Sequence, residues 1–266
     1  MANLLNRYPS IEDLRRRAKG RIPHFAWEYI DSGTGADECV QRNRAALQAI
    51  TLVPEFMKGA FEPQLATRLF DIDYAVPFGV SPVGLTALMW PRAERILARA
   101  AADHRFPYTL STAATEAPET IGPLSDGMGW FQLYPPRDPA MRRDLLSRAQ
   151  AAGFKTLLIT VDVPVNSRRE RQRKAGVSVP PRINPLMIYR CAVRPSWLAA
   201  TLRHGLPRFE GLEPYLPGRS IAESSHFINT AFSGALDWDY VAAARDEWDG
   251  PVLLKGVLAP EDAARA

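Results

Sequence analysis

The sequence predicts an α/β architecture built on a parallel sheet. Three observations lead to it. Short apolar runs recur after residue 51, several of them apolar on both faces, as a parallel strand buried from both sides requires. Helix-like stretches with readable start signals separate these runs. Polar residues stand at the carboxyl end of each run, where βα folds hold their ligands.

Ser10 opens the first helix: its hydroxyl can accept from an orphan amide of the first turn, and Ile11, Glu12 and Asp13 lead into a basic run to Lys19. A second short helix is expected over 23–30. It ends at Asp31-Ser32-Gly33, where glycine permits a left-handed cap. The expected strands are 78–80, 108–111, 130–134, 156–161 and 252–255. Between them, Pro91 suits a first helical turn leading into 92–102. Asp138 and Pro139 form an N-cap and N1 pair for 140–152, which Gly153 closes, and Asp237 caps 238–248, closed by Gly250. From 168 to 234 no strand reads clearly, and Pro180, Pro181, Pro185, Pro195, Pro207, Pro214 and Pro217 interrupt the pattern. A loop of this length in a compact domain is usually functional or disordered, and this one follows a strand end.

Composition narrows the classes. The chain has 266 residues, 46% hydrophobic and 23% charged, which is ordinary globular composition for one large domain. A net charge of +4, partly gathered between Arg168 and Lys174, is too weak to argue for nucleic acid. Cys39 and Cys191 stand far apart, so neither a metal site nor a disulfide framework is expected, and a reduced cytoplasmic setting is the simplest expectation. The first 17 residues hold no apolar core of a signal peptide, and no run of about 18 apolar residues predicts a spanning helix.

The strand ends carry the candidate chemistry: Ser81-Pro82-Val83-Gly84, Ser111-Thr112, Gln132-Leu133-Tyr134, Thr160-Val161-Asp162 and Lys255-Gly256. One polar strand end is more often a cap for the next helix. Five in succession are harder to explain as caps.

With Trp27-Glu28-Tyr29-Ile30-Asp31-Ser32-Gly33, Trp130-Phe131-Gln132-Leu133-Tyr134, Thr160-Val161-Asp162-Val163-Pro164, Ser167-Arg168-Arg169-Glu170 and Val252-Leu253-Leu254-Lys255-Gly256 in this order, the chain resembles the FMN-dependent 2-hydroxy-acid dehydrogenases and oxidases. The resemblance runs from about Tyr8 to the last residue. Leu88-Met89-Trp90-Pro91 and the stretch from Pro195 to Arg208 look most like the mandelate and bacterial lactate dehydrogenase branch. It implies a (β/α)8 TIM barrel, here its first five βα units. Residues 1–50 would form an N-terminal helical segment and 51–266 a partial barrel with a long loop at about 168–234, all one domain incomplete at its C-terminus.

Residue by residue, the resemblance implies that Tyr29 and Tyr134 face the substrate and that Arg169 grips its carboxylate, a task suited to a planar guanidinium. Pro82, Val83 and Gly84 would lie against the flavin ring. The family commonly has threonine where Val83 stands. Ser111, Gln132 and Thr160 would bond the flavin edge, Lys255 would hold positive charge against it, and Asp162 would pair with a catalytic histidine. From the residues alone, Tyr29 also fits an amphipathic core tyrosine. Ser111, Thr160 and Asp162 also fit caps, Arg169 a solvated basic run, and Lys255 a lysine reaching solvent.

The family's histidine segment follows the lysine strand by about two dozen residues. His24, His104, His204 and His226 do not lie in it. With five strands of eight the barrel would stay open, so residues 1–266 alone are expected to be unstable or to aggregate, without tight FMN binding or turnover. The activity implied for the full-length parent is FMN-dependent oxidation of an L-2-hydroxy acid, lactate- or mandelate-like, to the 2-oxo acid, with quinone or oxygen as acceptor. The alternative is a non-catalytic fragment lacking the histidine. The 168–234 stretch is expected either as an active-site lid or as a peripheral contact with the inner face of a membrane. A homo-oligomer is implied for family members.

Overall fold

A computed structural model describes residues 2–163, 167–177, 184–216, 227, 230–232 and 236–266. In chain order the first helices are α1 (Ala2–Arg7), α2 (Ile11–Arg21), α3 (His24–Asp31) and α4 (Glu38–Gln48). A hairpin of β1 (Thr67–Leu69) and β2 (Ile72–Tyr74) precedes α5 (Thr86–Met89), α6 (Ala93–His104) and β3 (Tyr108–Ser111). Then come α7 (Pro118–Ile121), β4 (Gly129–Leu133), α8 (Pro139–Ala151) and β5 (Thr156–Thr160). After these stand α9 (Glu170–Ala175), α10 (Pro185–Ala192), α11 (Pro195–His204), α12 (Trp238–Asp246), β6 (Val252–Lys255) and α13 (Pro260–Arg265).

The chain divides into two compact units. The larger one, 54–87, 92–167 and 207–266, is built on a parallel sheet of order β3-β4-β5-β6. Leu110, Phe131, Leu133, Leu157 and Ile159 of its strands are fully buried, as are Ala98, Ala101, Leu145, Leu146 and Ala149 of α6 and α8. Each large aliphatic or aromatic residue so buried is worth about 1.5–3 kcal/mol. β6 differs: all four of its residues are partly exposed, as the expectation of an open edge requires. The N-caps read from the sequence hold. Asp138 Oδ1 accepts from the Ala140 amide at 2.8 Å and Asp237 Oδ1 from Tyr240 at 2.8 Å, while Gly153 closes α8 with φ of +97°.

Other details differ. The run 78–80 forms a single bridge, Val80 to Tyr108, in place of a strand. The β1–β2 hairpin gives no turn signal in the sequence, because Phe70 and Asp71 take the left-handed positions that Gly or Asn usually fills. α6 begins at Ala93, behind Arg92 rather than on Pro91.

The smaller unit comprises 1–53, 88–91 and 168–206. Ser10 and Asp13 form a reciprocal capping box at the start of α2. α3 ends on extended Ser32, so Gly33 is no left-handed cap. It is needed for close approach, since a Cβ there would stand 2.6 Å from Val40 Cγ2. Ile22, Phe25, Ala26, Trp27, Ala175 and Trp197 form the unit's core. The stretch that reads as a loop holds α9, α10 and α11. Pro185 and Pro195 are the first residues of helices, where a missing N–H costs nothing.

The later part of that stretch belongs to the larger unit. Leu212 is fully buried, Arg148 donates to the Gly211 carbonyl at 2.8 Å, and Tyr215 hydrogen-bonds Asp144.

Candidate active site

Parallel pairing places Ser111 opposite Gln132 and Thr160 opposite Lys255, so four side chains mark the carboxyl edge of the sheet. Three are joined into one chain. Ser111 Oγ donates to Gln132 Oε1 at 2.7 Å, and Gln132 Nε2 donates to Thr160 Oγ1 at 2.8 Å. These residues are only 4%, 1% and 2% exposed, and a buried amide and two hydroxyls without partners would be costly. The neighbouring positions are tied to the same strands. Thr112 Oγ1 donates to the Gln132 carbonyl at 2.6 Å and accepts from the Tyr134 amide at 3.0 Å.

The loop of Pro82, Val83 and Gly84 is fixed beside the Ser111 end. Val80 pairs with Tyr108, the Leu85 amide donates to the Ala113 carbonyl at 2.8 Å, and Thr86 Oγ1 donates to the Val83 carbonyl at 2.7 Å. The Val83 bond is made by its carbonyl, so valine in place of threonine leaves that anchor intact. At the other end Lys255 Nζ stands 3.1 Å from Asp162 Oδ1 and 3.4 Å from Oδ2. Gly256 makes this approach possible: its φ is +100°, and a Cβ there would lie 2.4 Å from the Cβ of Asp162.

One contributor escapes sequence reasoning. Glu94 of α6 is fully buried and accepts from the Thr115 amide at 3.0 Å and from the Thr115 hydroxyl, holding the loop that follows Ser111. A lone Glu on an amphipathic helix gives no warning of this.

Tyr29 and Arg169 lie in the smaller unit, on adjoining segments. Tyr29 is half-buried on α3, and its carbonyl accepts from Gln172 Nε2 of α9 at 3.0 Å. Arg169 is the N-cap of α9. Arg171, the second residue of that helix, contacts three carboxylates: Glu28 Oε2 at 2.7 Å, Asp31 Oδ2 at 3.1 Å and Asp37 Oδ2 at 2.5 Å. Arg15 adds a second cation to Asp31 at 2.7 Å. Burial works against the charged form of Asp31, but the two guanidinium groups outweigh it and hold its carboxyl below the usual range. Arg171, with the Gly33 amide, does the same for Asp37, and the carboxylates raise the proton affinity of Arg171 in turn.

The sequence pattern of the FMN-dependent dehydrogenases matches residues 18–266. The chain belongs to that family. An L-lactate dehydrogenase of Pseudomonas aeruginosa PAO1 is 37% identical over 256 residues, covering 96% of this chain and 67% of the relative. One from Pectobacterium atrosepticum is 36% identical over 96% of this chain and 66% of its own length. Among solved structures, the monotopic membrane protein (S)-mandelate dehydrogenase superposes with a TM-score of 0.89 at 27% identity, over 96% of this chain and 68% of that one. A mandelate oxidase gives 0.76 at 29% identity, over 97% and 65%.

This FMN-dependent dehydrogenase chain therefore spans about two thirds of its relatives' length, and its parallel sheet is part of a TIM barrel. FMN is the cofactor of the family. The donor set fits it: a hydroxyl, an amide and a hydroxyl in sequence can meet the alternating N–H and C=O groups of an isoalloxazine edge, and a lysine stands at one end.

Proposed function

We propose that the carboxyl edge of this sheet binds FMN for the oxidation of an L-2-hydroxy acid, lactate- or mandelate-like, to its 2-oxo acid. The observation that supports this best is the buried Ser111–Gln132–Thr160 chain, continued across the β5–β6 pair to Lys255. Pro82, Val83 and Gly84 offer backbone to one face of the ring. Ser111, Gln132 and Thr160 hydrogen-bond its edge, and Lys255 supplies fixed positive charge there. Bound FMN supplies the acceptor for two electrons. Within the larger unit Tyr134 would face the substrate, and within the smaller unit Tyr29 and Arg169 would hold a carboxylate. Asp162 is the carboxylate that would orient a proton-accepting histidine, a task that fixes tautomer and raises basicity.

FMN fluorescence titration and difference spectroscopy on a protein of the relatives' full length test this reading. Quenching on binding is expected, and L-lactate and (S)-mandelate should each perturb the flavin spectrum more than their enantiomers. Absence of quenching, or no perturbation by either acid, would remove the proposal. The alternative is a non-catalytic chain. It is favoured by the pairing of Asp162 with Lys255, and flavin bleaching by either acid would exclude it.

The same proposal places the protein peripherally at the inner face of a membrane, with quinone or oxygen as final acceptor. Among the described residues no helix is long and apolar enough to cross a membrane. α10, α11 and the turn after them instead expose Leu186, Ile188, Tyr189, Leu202 and Leu206 beside Arg190 and Arg203. Such a surface suits a headgroup boundary. Because Leu212 and Tyr215 pin the following segment, the contact is confined to 185–206. Co-sedimentation with phosphatidylcholine–phosphatidylglycerol vesicles should fall about tenfold or more in the L202E/L206E double variant, since each leucine contributes about 1.5–3 kcal/mol on burial. Unchanged partition would leave 185–206 as a lid.

A further inference from the structure

We propose that Arg171 is the positioning residue of the substrate-carboxylate site, setting Tyr29 and Arg169 in one frame. The inference rests on the proposed roles of Tyr29 and Arg169. It concerns a residue with no assigned part in the chemistry.

Tyr29 sits on α3, and Arg169 caps α9. These segments are separated by well over a hundred residues, so nothing local fixes their spacing. Arg171 does so from the inside of the pair. Its Nε meets Glu28, the residue before Tyr29, at 2.7 Å. Its Nη2 meets Asp31, two residues after Tyr29, at 3.1 Å, and its Nη1 meets Asp37 at 2.5 Å. One guanidinium thereby brackets Tyr29 from both sides in sequence. Gln172 adds a bond to the Tyr29 carbonyl itself, and the Gly35 amide donates to the Arg168 carbonyl at 3.2 Å.

A planar fork spreads five donors over three nitrogens in fixed directions, so it can hold three carboxylates at set spacings, whereas an ammonium is a compact point charge. The carboxylates also serve the site electrostatically. Glu28 is almost fully buried and Asp31 nearly so, and without Arg171 their negative charge would stand beside residues meant to attract a substrate anion. His24 of the same helix faces Glu28 at 3.7 Å, and Arg15 faces Asp31, so Arg171 is the member that links these carboxylates to α9.

The test uses oxalate, a dianion without oxidisable hydrogen, titrated into the FMN-saturated protein at its relatives' full length. Arg171→Met should weaken oxalate about tenfold or more, in line with couplings measured in charged networks, and change the FMN dissociation constant less than twofold. Arg171→Lys should fall between. The Arg169→Met/Arg171→Met double variant should lose clearly less affinity than the two single losses combined, because Arg171 acts through Arg169 and Tyr29. Additive losses would make Arg171 merely structural and overturn the proposal, as would unchanged oxalate affinity in Arg171→Met. Where Arg171→Met fails to fold, Arg171→Lys and Asp37→Asn decide: unchanged affinity in both overturns the proposal. Tyr29→Phe and Arg169→Met separate the two claims. If they weaken oxalate and Arg171→Met does not, the carboxylate site stands and Arg171 is dismissed. If none has an effect, both fall.

Discussion

Lys255→Met is expected to weaken FMN binding by about 10- to 100-fold, the range implied by loss of a charge-assisted hydrogen bond of roughly 1.5–3 kcal/mol. The stability of the fold should hardly change. Lys255 and Asp162 side chains are 36% and 40% exposed, and an ion pair open to solvent contributes at most about 1 kcal/mol. The expected effect on flavin binding is larger because a flavin held at this strand end would exclude solvent from the ammonium and strengthen its charge interactions. Fluorescence titration of FMN against wild type, Lys255→Met and Lys255→Arg, each at the relatives' full length, checks this, with urea unfolding run alongside. Arginine should restore part of the affinity, since it keeps the charge without the point geometry. Equal dissociation constants for all three would take Lys255 out of the flavin site.

The second large effect concerns the packing that holds the strand ends in register. Gly122→Ala should destabilise the protein by about 3 kcal/mol or more, the upper range for forcing atoms into a filled space. A Cβ at 122 would stand 2.0 Å from the Ala152 carbonyl oxygen and 2.8 Å from its carbon. Both are backbone atoms at the end of α8 and cannot swing aside. The backbone of Gly122 is helical, φ −51° and ψ −55°, so alanine suffers no conformational penalty and the whole cost is steric. Gly127 offers the contrast: its φ is +77°, but nothing lies within 4 Å of an added Cβ. Gly127→Ala should therefore cost only about 1–2 kcal/mol of left-handed strain. Urea denaturation of the two variants measures the difference. Similar midpoints would mean that α7 and the end of α8 do not approach as closely as described.

The strands were legible because buried parallel strands carry short apolar runs, such as 157–159 and 252–254, that can be read locally. The caps at Ser10, Asp138 and Asp237 were legible for a similar reason: a cap bonds amides two or three residues away. The Pro-rich stretch was misjudged because a proline says only that an N–H is missing. Whether it breaks a loop or starts a helix, as Pro185 and Pro195 do, depends on what packs against the next turn.

The sequence alone determined the α/β class and the family. It also determined the residue types at the strand ends, because periodicity, capping and motif order are properties of neighbours along the chain. Tertiary structure alone decided that Ser111, Gln132 and Thr160 form one buried hydrogen-bonded chain, since that requires a register between strands more than twenty residues apart. It likewise revealed Glu94 under the Thr115 loop and Arg171 between Glu28, Asp31 and Asp37. A buried charge needs partners, and those partners lie far away in sequence, so only the folded chain could show them.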